Sequence, residues 1–173
     1  MDTIALDHDK YSAYLNQHLV AADAGVKAFR AAADTWAGTA YEQVFLQLHD
    51  ELAESHEQVR QLIERLGYEV STTRNVVAGL VQAAGRLNPL NPTRSHHGLM
   101  TQSELDALAA AIRAQQMMWE TLVVLADIDR RLDKDWCQSM IERCEDQRGR
   151  VLKVSQETAI DRFTREPVED ADD

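Results

Sequence analysis

The chain is poor in the residues that punctuate or cross-link a fold. Its 173 residues include three prolines, seven glycines and two cysteines. Aromatics make up 6% of it, and β-branched residues are sparse, which argues against a β-sandwich. No run of about 18 apolar residues occurs, so no membrane-spanning helix is expected. Basic runs are absent too. With 18 Lys and Arg against 29 Asp and Glu, the net charge is −11. A face that binds nucleic acid must offer counter-charge to phosphates, so nucleic acid is not an expected partner. Anionic membranes are disfavoured for the same reason.

The two cysteines, Cys137 and Cys144, are seven residues apart. On one helix that spacing gives about 10 Å of axial rise, beyond the Cα–Cα limit of about 7 Å for a disulfide. They are expected as free thiols in a reducing compartment. The stretch Met1 to Lys10 is polar and acidic and lacks the pattern of a signal peptide. A cytoplasmic location is the expectation.

What the chain does have is helix formers and helical periodicity. Four long segments are predicted. The first runs from Asp9 to Trp36, with Leu15, Leu19, Ala22, Val26 and Phe29 on one stripe and Gly38 as its stop. The second runs from Thr39 to Leu66. Thr39 and Glu42 have the spacing of a capping box, and Gly67 has the place of a C′ glycine. The third runs from Gln102 to Leu132, with Thr101 or Ser103 as cap, and the fourth from Asp133 to Phe163. Between the second and third lie about 35 residues that include a short helical pattern, Asn75 to Leu87, then Asn88-Pro89-Leu90-Asn91-Pro92. Two helical hairpins joined by one long crossover define the ferritin-like four-helix bundle, the predicted all-α fold. One domain over 1–165 is expected, followed by an acidic tail over 166–173 that reads as disordered.

In such a bundle a cofactor site lies in the core, on facing helices. The helix midpoints fall near Ala22, Ala53, Met117 and Arg148. Polar residues close to them are Asp23, His49, His56, Gln115 and Gln147, with Glu142 and Glu145 within two turns. Histidine and carboxylate are ordinary ligands of iron, manganese or zinc. The competing reading is that these groups bond one another or reach solvent at the stripe edge. The dinuclear signature needs Glu on two helices and Glu-x-x-His on the other two. Here Ala53 and Leu46 stand three residues before His56 and His49, the third helix carries Ile112 and Gln115, and the fourth has acids but no histidine. No phosphate loop or zinc spacing is present, and no catalytic triad can be identified from spacing alone. His96-His97 reads as a solvated loop pair.

Several stretches resemble the YciE/YciF-type ferritin-like stress proteins of bacteria. The run from Glu51 to Gly67 resembles that family's second helix, Val76 to Gln82 its crossover helix, Trp119 to Leu122 its third helix and Val26 to Phe29 its first. The resemblance implies a ferritin-like fold, homodimerisation and a dinuclear metal site. It also marks departures. The family's first-helix acid would fall on Ala22, beside Asp23. Its third-helix acids would fall on Ile112 and Gln115. Glu145 matches an acid, whereas Cys144 replaces its neighbour. The primary expectation is a diverged, non-catalytic, homodimeric stress or interaction protein with an altered or lost site. The alternative is an iron- or manganese-binding protein that uses Asp23, Glu54, His56 and Glu145, with His49 in reserve. A third is a thiol sensor at Cys137 or Cys144.

Overall fold

The computed structural model describes residues 5–71 and 99–164. Every regular element among them is a helix: α1 His8–Thr35, α2 Glu42–Arg65, α3 Leu99–Leu125, α4 Lys134–Glu157 and the short α5 Ala159–Phe163. None is long and apolar enough to cross a membrane. The predicted helix over 75–87, the His96-His97 pair and the acidic tail lie outside the described residues.

Local chemistry sets the helix ends. Asp7 caps α1 by accepting from the Lys10 N–H at 3.1 Å. Gly67, with φ +78, closes α2. Its N–H donates to the Glu64 carbonyl and that of Tyr68 to the Ile63 carbonyl, a Schellman ending. The predicted capping box does not form as drawn. α2 begins at Glu42, and Thr39 lies in the preceding turn, where its hydroxyl donates to the Trp36 carbonyl. Glu42 accepts from the Gly38 N–H at 2.8 Å instead. α3 starts at Leu99, so Thr101 and Ser103 sit inside the helix and neither caps it.

Two further boundaries differ from expectation. α3 stops at Leu125, seven residues before the predicted end, and α4 starts behind Asp133, whose carboxylate accepts from the Trp136 N–H at 2.9 Å. The turn between them is held by Asp129. This buried carboxylate accepts from the Arg131 backbone and guanidinium, while Arg131 Nη1 donates to the Leu66 carbonyl at 2.6 Å. At the far end, Thr158 interrupts the predicted fourth helix. Its hydroxyl donates to the Val154 carbonyl at 2.6 Å, a local bond that competes with helix continuation, and α5 follows.

The side-chain pairings fix helix direction. Phe45 of α2 stacks on Trp36 at 5.9 Å, and Tyr68 lies edge-on to Tyr11 at 5.6 Å, so α1 and α2 are antiparallel. Trp119 meets Trp136 at 5.1 Å and Gln102 meets Ser155 at 3.0 Å, so α3 and α4 are antiparallel. Tyr14 bonds Thr121 at 3.3 Å at one end of α1, and Ala28 lies near Ala107 toward the other, so α1 and α3 are antiparallel as well. Arg65 stacks over Trp136, and Glu51 pairs with Arg150, giving the same relation for α2 and α4. It follows that α2 and α3 are parallel, and that Ser71 and Leu99 lie at opposite ends of the bundle. The core between the helices is apolar, with Leu15, Phe29, Phe45, Leu48, Ile63 and Trp119 fully buried.

Candidate functional site

The inter-helix pairings place Ala22, Ser55, the Ile112–Gln116 turn and the Cys144–Gln147 turn at one level, midway along the bundle. This is where the sequence puts a cofactor. The buried side chains there are neutral: Ser55, Ile112, Gln115, Gln116, Cys144 and Gln147. Ser55 spends its hydroxyl on the Glu51 carbonyl at 2.9 Å. Gln115 Nε2 and Gln147 Oε1 are buried without a hydrogen-bond partner among the described residues. An orphan amide donor and an orphan amide acceptor suit a bridging water. Neutral amides do not balance the charge of two divalent ions, so these core residues do not fit a dinuclear site.

The predicted ligands lie outside this core, and Asp23, Glu54, Glu145 and His49 have other partners. Asp23 is exposed on α1 and pairs with Lys27 one turn away at 2.6 Å. Glu54 is exposed on α2 and accepts from Arg143 of α4 at 2.6 Å. Glu145 is exposed on α4 and accepts from Gln116 Nε2 at 3.0 Å. His49 pairs with its neighbour Asp50 at 2.9 Å. His56 is half-buried on α2. Glu54 and His56 are two residues apart on one helix, and such pairs do not face each other. Among the described residues, no group of three or more His, Cys, Asp or Glu side chains is placed to hold a metal ion.

The main electrostatic feature is the α2/α4 seam. Glu51 is half-buried, accepts from Arg150 and takes a 3.0 Å bond from Gln147. Burial alone would push its carboxyl up. The hydrogen bonds of Arg150 and Gln147, with the charges of Arg150 and Arg143, outweigh burial and hold it below the usual range. Arg143 also donates to the Glu51 carbonyl at 3.2 Å. Two guanidiniums therefore neutralise the two α2 acids nearest the centre. The sequence names Glu51 and Glu54 but does not pair them with arginines half a chain away. The spacing of Arg143 and Arg150, one heptad on α4, was the available signal.

Cys137 and Cys144 are buried free thiols, and burial pushes each up to about 11. Such thiols are poor nucleophiles at neutral pH, which does not suit a redox sensor.

A second feature lies between α1 and α3. Small residues line both helices there and leave a cavity of about 270 Å³. Phe29, Leu52 and Leu108 line its apolar part, and His18 and Gln115 contribute the polar side chains. Burial pushes the His18 imidazole down, toward the neutral form.

Compared with known proteins, the chain matches no family model, and neither the curated proteins nor the solved structures yield a match.

Proposed function

We propose that this chain is a ferritin-like bundle protein of the bacterial stress-protein type that acts without catalysis, as a homodimeric cytoplasmic interaction protein whose dinuclear metal site has been replaced. The fold part rests on two antiparallel hairpins whose connection joins opposite ends of the bundle. The function part rests on one observation. The mid-bundle core is neutral, while the nearby acids Glu51 and Glu54 are held by Arg150 and Arg143. A ferritin-like fold carries no ferroxidase activity by itself; the site decides.

The alternative is an iron or manganese protein with an unusual ligand set. It draws on Glu51 and Glu54, one turn apart on α2 with both carboxylates on the α2/α4 seam. It requires Arg143 and Arg150 to leave their carboxylates before an ion could enter.

Metal analysis after native purification from iron- and manganese-replete cells separates the two. The proposal expects substoichiometric metal, below about one ion per ten chains. One or two ions per chain, lost in Glu54→Ala or His56→Ala, would establish the alternative.

A further inference from the structure

The outer face of α3 carries a second apolar stripe that the core does not use. Ala107, Ala110, Ala114, Met117, Thr121 and Val124 recur at spacing 3-4-3-4-3, all apolar but Thr121, whose hydroxyl accepts from Tyr14 of α1, and Ile128 extends the stripe into the following turn. This is the a/d pattern of a helix seam. Met117, Val124 and Ile128 are 52%, 69% and 45% exposed. Large apolar side chains in register on an exposed face mark an interaction surface.

The stripe is polarised. Its first half is alanine and, with Ala24, Gly25 and Ala28 of α1, borders the 270 Å³ hollow. Its second half projects Met117, Val124 and Ile128. Ala110 and Val124 are each seven residues from Met117, on opposite sides, about 10 Å along the axis. A two-fold axis through Met117 would therefore set the projecting half of one copy over the hollow half of the other. The charges beside the stripe obey the same symmetry. Arg113 and Glu120 flank Met117 and pair within the chain at 2.5 Å, both about two-fifths exposed. In the two-fold arrangement Arg113 of each copy faces the partner's Glu120. Isologous dimers require this self-complementarity.

We infer that α3 docks antiparallel on α3 of a second copy, with the partner's Val124 and Ile128 seated over the alanine-lined hollow. This rests on the homodimer reading above and names its surface. From Ala107 to Val124 the stripe spans about 26 Å of helix.

The test uses the full chain in analytical ultracentrifugation. Wild type is expected at twice the chain mass. Val124→Glu should weaken dimerisation at least about 100-fold while leaving the helical circular dichroism unchanged, because a charge is placed in the seam and not in the core. Arg113→Glu and Glu120→Arg should each weaken the dimer, since each opposes like charges across the axis. Mixing the two variants should restore a heterodimer, because both cross-axis contacts become attractive again. A monomeric wild type would overturn both the dimer reading and its surface. A wild-type dimer indifferent to these variants would leave the dimer and overturn the α3 surface.

Discussion

Arg143 of α4 reaches across the bundle to Glu54 of α2, its Nη2 2.6 Å from Oε2. The same nitrogen donates to the Glu51 carbonyl, so one guanidinium binds both an acid and the helix that carries it. Two turns along, Arg150 binds the Glu51 carboxylate and Asp146 of its own helix. Where a dication would draw carboxylates inward, two fixed monocations draw them onto the α2/α4 seam. The centre behind them is left to amides, a thiol and a hydroxyl.

The seam sets an acid limit on stability. The folded carboxyl of Glu51 lies below its ordinary value of 4.5, so its contribution is fully present above about pH 4.5 and is lost as pH falls through the lower folded value. Arg150→Met removes the pair and leaves a half-buried carboxylate. The variant should be about 1–2 kcal/mol less stable at pH 7. The gap should narrow at pH 3, below the ordinary value of 4.5, because the carboxylate freed of Arg150 in the variant is largely protonated there. Urea unfolding at both pH values measures it; an equal gap at pH 3 would remove Glu51 as the cause.

The cysteines should behave as core residues. With both thiols pushed up to about 11, about one-thousandth of each is thiolate at pH 8. Labelling with a disulfide reagent at pH 8 should be slow in the folded protein and stoichiometric, two thiols per chain, in denaturant. Rapid labelling of either in the folded state would return the thiol-sensor reading to consideration.

Asp133 fixes the start of α4 by a single capping bond to Trp136, and that turn also carries the Trp136 contact with Trp119. Asp133→Ala should cost about 1 kcal/mol. Asp133→Asn, which can still accept the bond, should cost less. Thermal unfolding of the two variants checks the order.

That same region shows what was legible in the sequence. Asp133 was readable as the start of the fourth helix from length alone, since no glycine or proline marks the turn. The end of α3 was not. Ala126 to Leu132 keeps helical periodicity, and no glycine or proline breaks it. The helix stops because Asp129 folds back onto Arg131, and Arg131 is anchored to the Leu66 carbonyl 65 residues earlier. A tertiary bond overrides local propensity there. Gly67, by contrast, was legible because a left-handed ending is a local demand that glycine meets most easily.

The site was half legible. Gln115 and Ile112 could be read as neutral residues at central stripe positions, and the structure buries both. The acids could be read only as present near the middle. Periodicity does not say which group an acid will face across a seam, so Glu54 with Arg143 and Glu145 with Gln116 emerge only from packing, whereas Asp23 with Lys27 is an i,i+4 pair within α1.

The most direct test of the proposed replacement is an anomalous difference map from crystals grown in manganese. Replacement predicts no peak between the helices at the level of Ser55, Gln115 and Gln147, with Arg143 and Arg150 still on Glu54 and Glu51. A peak there, with either arginine displaced and its carboxylate turned to the ion, would contradict it.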